Sequence, residues 1–298
     1  MQTVSEAPPK PPWVFVPELP AAEFDLFREL IARRCGIKLS DAKRLLLQNR
    51  IGKRLRALGM ADFAEYYRYV TSRAGKRDEL RHLWSAITTN ETHFFREPHH
   101  FETLRKDLLP ALASRRSTMR TLRFWSAGCS TGQEVYSLAM ALEDWTADHS
   151  GWHYTIIGTD IDDNVLKVAA AGVYPREQER EIPPQARLRY VDCPGRNITM
   201  RPRLRAHTRF VNANFATVRP LRPKVDVIFC RNAIMYLNMP TRARLARVFW
   251  ESLTDGGYLL VGSSESLHGL PVIFDNKRLG RTLAYQRAPR QEASDGGR

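Results

Sequence analysis

The stretch Arg123 to Met140, RFWSAGCSTGQEVYSLAM, constrains the fold more than any other part of the chain. Leu122-Arg123-Phe124-Trp125 is short, apolar and aromatic, the composition of a buried strand. Gly128-Cys129-Ser130-Thr131-Gly132 is a tight turn of small residues, and from Glu134 to Leu142 apolar side chains recur at helical spacing (Val135, Leu138, Ala139, Leu142). Strand, glycine turn and helix form the unit by which a parallel α/β sheet brings backbone N–H groups against a nucleotide-type ligand. Turns of this kind also occur where nothing binds. Ligand cradle and plain connection are separated only by the rest of the chain.

Downstream, the sheet pattern repeats. Tyr154-Thr155-Ile156-Ile157-Gly158-Thr159-Asp160 is a β-branched strand ending in an acid, the position that bonds ribose hydroxyls in Rossmann-like units. The distance from Gly128 to Asp160 requires a long intervening helix; Asp162 then caps a helix over Val165 to Ala171. Thr208–Val211 is a short strand, Val225–Cys230 an almost wholly apolar one suited to a sheet centre, and Tyr258–Gly262 another. Pro240 to Leu253 reads as a helix; Val272–Phe274 and Thr282–Gln286 are candidates to close the sheet. Residues 174–209 interrupt the alternation with proline, arginine and weak strand signals at Arg187–Val191 and Asn197–Leu204, as an inserted antiparallel β subdomain would. The insert's arginines fit either a solvated face or an acidic surface. Polar residues fall at successive strand ends: Gly128 to Gly132, Asp160, Asn214 and Arg231-Asn232. Ligands of open α/β sheets bind along that edge. There is no GxxxxGK[ST] loop, and GCSTG is not GxGxxG, so a nucleoside without phosphates, S-adenosylmethionine, fits better than a pyrophosphate cofactor.

Before this part, residues 1–20 carry six prolines and predict an extended, poorly packed lead-in; residues 289–298 predict a disordered tail. Residues 21–84 read as an all-helical domain and 85–288 as the α/β domain. Three stripes mark the helical part: Phe24 to Ile31, Leu45 to Leu58 ended by Gly59, and Phe63 to Val70. The middle helix carries Lys43, Arg44, Arg50, Lys53, Arg54 and Arg56 with one acid, Asp41. Such residues commonly form a solvated face, yet the missing i,i+4 acids suit a docking face for an acidic partner. Between the domains, Trp84 to Phe101, WSAITTNETHFFREPHHF, is either a connector plugged by Phe94 and Phe95 or a lid over the glycine turn. Pro98 suits the first position of a helix, and the same start accounts for His99-His100 better than a metal site does.

Composition narrows the class. The net charge of +14 favours acidic partners, namely nucleic acid, anionic membrane or acidic protein. No apolar run approaches a membrane span, the N-terminus lacks a signal-peptide core, and the four cysteines form no CxxC, as in a cytoplasmic protein with reduced thiols.

Taken in order, TNETHFFREPHHF, FWSAGCSTGQEVYSLAM, GTDID, FCRNAIMYL and GGYLLVGSSESL, after a helical N-terminal domain, resemble the chemotaxis receptor methyltransferases, the CheR family, over residues 21–286. The resemblance implies an α/β, Rossmann-like methyltransferase domain that transfers a methyl from S-adenosylmethionine to glutamates of chemoreceptor cytoplasmic helices, leaving S-adenosylhomocysteine. It implies cofactor contacts at Asn90, Thr92, Arg96, Gly128, Glu134, Asp160, Asn214, Phe215, Arg231 and Asn232, with Arg96 and Tyr236 nearest the methyl group. The alternative for Tyr236 is a core aromatic covering the sheet edge. The basic helix, through Lys43, Arg44, Arg50, Lys53 and Arg54, becomes the expected dock for the acidic receptor bundle.

Some positions depart from the pattern. Gln133 and Val135 replace the Glu and Pro of TGEEPYS, and Asp192-Cys193-Pro194-Gly195 matches poorly the glycine-rich loop that binds a receptor's C-terminal pentapeptide. A monomer that works without a pentapeptide tether, nucleic acid or membrane insertion is expected. Two rivals stay open. A nucleic-acid methyltransferase would carry N/D-P-P-Y/F where this chain has Arg231-Asn232-Ala233-Ile234. A non-catalytic scaffold would have no use for Arg96, Asp160 and Tyr236 together.

Overall fold

The computed structural model describes residues 17–73, 75–271 and 274–288. Among these residues two compact units emerge, 17–30 with 39–87 and 31–38 with 88–288; the tail expected at 289–298 lies outside the described residues.

The first unit is helical. α1 spans Ala21–Cys35, α2 Arg44–Leu58, α3 Phe63–Thr71 and α4 Gly75–Ile87. α2 buries Leu47, Ile51 and Leu55, one face at i,i+4 spacing, and stops where Gly59 turns left-handed at φ 67°. α3 is capped by Asp62, whose carboxylate accepts from Glu65 N, while Glu65 accepts from Ala61 N. Phe27 packs its ring on Tyr66 and Tyr67.

The basic face of α2 is partly turned inward. Arg54 grips Glu79 with two hydrogen bonds of 2.8 and 2.9 Å, and Tyr66 Oη donates to the same carboxylate at 2.9 Å. Arg50 donates to Ala86 O, and Arg44 to Leu19 O and Glu18. These three half-buried arginines help hold the unit together, so the expected docking residues divide: Arg44, Arg50 and Arg54 are engaged within the unit, and Lys53, with its neighbour Arg56, is exposed. Of the expected lead-in, residues 17–20 are described and pack more closely than an extended segment would. Leu19 is fully buried and fixed by Gln48 and Arg44; residues 1–16 lie outside the described residues.

The second unit is a seven-stranded sheet. Its strands are β1 Thr121–Ala127, β2 His153–Asp160, β6 Thr208–Asn212, β7 Val225–Cys230, β8 Leu253–Val261, β9 Asp275–Leu279 and β10 Thr282–Gln286, ordered β6-β2-β1-β7-β8-β10-β9. β1 runs parallel to β2 and β7, and β10 runs antiparallel to β8 and β9. Strand order reverses at β1, so a crevice opens beyond the carboxyl ends of β1, β2 and β7. Alternate residues of the central strands feed two cores. Phe124, Ile156, Val227 and Phe229 lie in one, Trp125, Ile228 and Cys230 in the other. Burial of both faces explains why β7 reads as a continuous apolar run.

The long helix α7, Gln133–Asp148, joins β1 to β2 as the spacing requires. It passes close over β2 because Gly158 has no side chain: a Cβ there would lie 2.9 Å from both Phe210 and Val135. α8, Asp163–Ala171, is capped by Asp162 as predicted. α11, Met239–Ser252, is capped by Asn238 and precedes β8. α5, Pro98–Thr103, starts on Pro98 and runs through a π turn at 104–108 into α6, Leu109–Arg115. Pro110, which cannot donate to the carbonyl four residues earlier, accounts for the widened turn.

The insert is a three-stranded antiparallel sheet: β3 Val173–Pro175, β5 Asn197–Met200 and β4 Val191–Asp192, in that order. The strand expected at Arg187–Val191 is helix up to Tyr190, whereas the one expected at Asn197–Leu204 forms as β5 over its first half and turns helical from Pro202. Residues 184–190 form α9 (Pro184–Tyr190), and Pro202–Ala206 forms α10. Each has proline at its start, where the missing N–H costs nothing. Several insert arginines pair with acids of the same unit: Arg187 with Glu179, Arg189 with Asp144, Arg201 with Asp192 and Arg203 with Glu143. Of the strand expected at Val272–Phe274, residues 272 and 273 lie outside the described residues and Phe274 immediately precedes β9.

Candidate active site

The glycine turn after β1 is held from beneath by β2. Gly128 N and Cys129 N donate to Thr159 O, and Ser130 N donates to the Asp160 carboxylate at 2.9 Å. Asp160 also accepts from Asp162 N at 3.0 Å. It stays a carboxyl among backbone donors, its pKa pushed up by burial against the pull of those hydrogen bonds. Gly128, at φ 82°, faces the segment after β7. A Cβ there would come 3.2 Å from Ala233 Cβ and 3.6 Å from the Phe215 ring.

Residues 88–97 lie along the turn rather than forming a loose connector. Ser130 Oγ donates to Asn90 O, Asn90 Nδ2 to Asp162, Phe95 N to Ser137 Oγ, and Phe94 N to Glu181. Phe94 is buried against Tyr174. Thr92 is half-buried in the same run. Both expected uses, aromatic plug and cover, meet in one segment.

At the centre is Arg231, whose side chain is 2% exposed at the end of β7. Its Nη2 donates to Arg96 O at 2.5 Å, tying the cover to the sheet. Its Nε lies 3.4 Å from Glu97 and 3.3 Å from Glu134, outside good hydrogen-bond geometry, and Nη1 has no hydrogen-bond partner among the described residues. Phe101 lies under the guanidinium at 5.7 Å. Glu134 also accepts from Ser126 Oγ at 2.7 Å. Burial raises the Glu134 pKa, opposed by the charges of Arg231 and Arg96. Glu97 is also desolvated, but hydrogen bonds from Ser263 and the charges of Arg231 and His100 hold its pKa below the usual range. His100, buried beside them, has its pKa lowered to about 3 by desolvation and by Arg231.

Backbone conformation marks the same place. Phe95, Glu97, Ser130 and Asn232 are non-glycine residues with φ between 50° and 57°. Such conformations cost on the order of 1–3 kcal/mol each and gather where a site over-determines them.

The remaining expected residues divide. Arg96 donates to Glu91 O and is half-buried. Asn232 N donates to Glu265 at 2.6 Å. Tyr236 is 40% exposed, not a core aromatic, between exposed Met235 and Met239. Asn214 is the outlier among the expected cofactor contacts. Its Oδ1 accepts from Ala216 N within its own turn, and its Nδ2 donates to Arg34 O in the last turn of α1, so both ends of the side chain are engaged within the protein. Sequence reasoning missed Ser126, Glu97 and Glu265. Glu97 follows Arg96 directly, and Glu265 lies in the GSSES motif; an acid inside an otherwise small-residue strand end was the available signal.

S-adenosylmethionine presents an ammonium, a carboxylate and two ribose hydroxyls. The crevice offers the matching set: the buried carboxyl of Asp160 and the largely covered one of Glu134, an arginine with a buried Nη1 unpartnered among the described residues, and a glycine turn beside an aromatic ring. A doubly wound sheet with this donor set at its switch point defines an S-adenosylmethionine-dependent methyltransferase.

Comparison with known proteins agrees. "CheR methyltransferase, SAM binding domain" matches residues 90–281 and "CheR methyltransferase, all-alpha domain" matches residues 22–88. The chain is 36% identical over 255 residues, 83% of its length and 94% of the relative's, to a probable chemotaxis protein methyltransferase of Rhizobium etli. It is 34% identical over 256 residues (84% and 92%) to chemotaxis protein methyltransferase 1 of Pseudomonas aeruginosa. It is 36% identical over 254 residues (84% and 86%) to the chemotaxis protein methyltransferase of Escherichia coli. The chain belongs to the CheR methyltransferase family.

Proposed function

We propose that this enzyme methylates glutamate side chains on the cytoplasmic helices of chemoreceptors, forming glutamyl methyl esters, and works in the cytoplasm as a monomer. The observation that carries the reading is Arg231: a buried guanidinium, held by a carbonyl and two carboxylates yet keeping a donor unpartnered among the described residues, at the edge where substrate must enter.

A glutamate carboxylate has a pKa of about 4.3 and is already a nucleophile at neutral pH, so no general base is needed. When bound, S-adenosylmethionine supplies a methyl group on a sulfonium leaving group. The chain's task is to orient the carboxylate, strip its water and keep its charge available. An arginine suits the first task because its planar donors match a carboxylate in pairs. Arg96, half-buried in the cover, takes that role here, with Tyr236 at the exposed lip orienting the approach. Glu134 and Asp160 hold the cofactor's polar groups; Arg231 balances Glu134 and Glu97 and contributes its remaining N–H.

Labelled S-adenosylmethionine and a receptor cytoplasmic fragment test this directly. The expected product is label on the fragment, released by mild base; base-stable label, or label on nucleic acid alone, would overturn the reading. Arg96→Ala is expected to nearly abolish turnover, and wild-type turnover in that variant removes Arg96 from the role. The pentapeptide departure at Asp192–Gly195 supports tether-free action. Calorimetric binding of a receptor-tail pentapeptide would reverse that point alone.

A further inference from the structure

We propose that Glu265 is a positioning residue that sets the backbone of the Arg231–Tyr236 segment for the reaction. The inference deepens the site described above and rests on its assignment. Glu265 is a carboxylate, 9% exposed, just past the end of β8. Its Oε2 accepts from Asn232 N at 2.6 Å and Gly262 N at 2.9 Å, and its Oε1 accepts from Met235 N at 3.0 Å. One side chain thus gathers three backbone donors from the loops that follow β7 and β8.

The surroundings are built around this carboxylate. A Cβ at Gly262 would stand 2.9 Å from Glu265 Oε2 and 2.9 Å from Asn232 Nδ2, so only glycine admits the acid there. Asn232 is left-handed at φ 57°, a conformation that turns its N–H to the acid while Arg231, its neighbour, points into the crevice. Met235 N belongs to the short 3-10 turn Ile234–Tyr236, whose first N–H groups lack intrahelical partners. Its hydrogen bond to Glu265 fixes the turn that carries Tyr236. Glu265 therefore links the cofactor-side residues Arg231 and Asn232 to the substrate-side Tyr236 through main chain alone. A carboxylate accepts from all three donors at once, whereas a glutamine would present its NH2 to one of them.

The test uses the full chain with Glu265→Gln and Glu265→Ala. Amide hydrogen exchange is read at Asn232 and Met235, S-adenosylhomocysteine affinity by calorimetry, and kcat and KM on the receptor fragment. In Glu265→Ala both amides should exchange at least about 100-fold faster while Ile228 and Phe229 keep their protection, a contrast local opening predicts. S-adenosylhomocysteine should bind roughly ten-fold more weakly, and kcat should fall more than KM rises. Glu265→Gln should keep the Asn232 amide protected, release that of Met235, and recover part of kcat. Unchanged exchange at both amides overturns the proposal, as does acceleration spread evenly through β7 and β8, which would mark a merely structural acid. If the wild-type enzyme leaves the receptor fragment unlabelled, the substrate reading fails, while exchange and S-adenosylhomocysteine binding still decide Glu265.

Discussion

The two ends of β7 carry opposite charges in opposite states of completion. At its start, Asp226 is fully buried and saturated: Arg116 donates twice at 2.8 and 2.6 Å, Arg123 N at 2.9 Å and Thr254 Oγ1 at 3.1 Å. Just past its end, Arg231 is as deeply buried but has one short hydrogen bond, two distant carboxylates and an N–H with no partner among the described residues. A buried charge left unfinished costs free energy in a protein selected only to fold. The difference teaches where folding stops and function starts. The amino edge of the sheet is closed by its own residues, and at the carboxyl edge Arg231 keeps a donor unspent among the described residues.

The contrast can be broken by exchanging the penalties. Arg231→Met should lower methyl transfer about 1,000-fold, near 4 kcal/mol in transition-state terms, with a much smaller change in the urea midpoint. Asp226→Ala should do the reverse. It leaves Arg116 and two further donors facing a void, so unfolding free energy should fall by about 3–5 kcal/mol while the folded fraction keeps its kcat. Equal effects of the two variants on stability and rate would erase the distinction.

A smaller effect sharpens it. His100, beside Arg231, is neutral in the fold, with a pKa near 3 against its ordinary 6.5. A base whose pKa is depressed on folding contributes stability that is complete above pH 6.5 and lost as pH falls toward 3. From pH 6.5 to 5 the loss should approach about 2 kcal/mol, at 1.36 kcal/mol per unit, and His100→Gln should flatten that slope in denaturant titrations. The smallest effect belongs to the helical unit. Lys53→Glu with Arg56→Glu should raise KM for the receptor fragment about 3- to 10-fold at low salt and leave S-adenosylhomocysteine binding alone. Arg54→Glu is the wrong probe, because it would set two acids together beside Tyr66.

Much of this architecture was legible in the sequence because periodicity reports burial. The glycine turn, the long α7, the cap at Asp162 and the apolar β7 all follow from local patterns. The insert was harder. Leu188 and Tyr190 alternate as in a strand, but Pro184 opens a helix and Leu188 ends up 74% exposed. In the site, Asp160, Glu134, Arg231 and the cover before the turn could be named from motifs. Their partnerships could not. Asp226 meets Arg116 across 110 positions and Arg231 meets Arg96 across 135, and no local rule reads such distances. Asn214 shows the converse, a motif residue whose side chain is engaged by a carbonyl in the last turn of α1 and by its own turn.

The left-handed residues at the crevice have an evolutionary consequence. Glycine is the replacement that each of those backbone angles prefers, and a population screened only for survival of heating would accumulate it there. At Ser130 glycine would remove the hydroxyl that donates to Asn90 O, and at Asn232 the side-chain amide packed against Gly262. A library selected for thermal endurance should therefore return glycine at these two positions first, in proteins that last longer and methylate less.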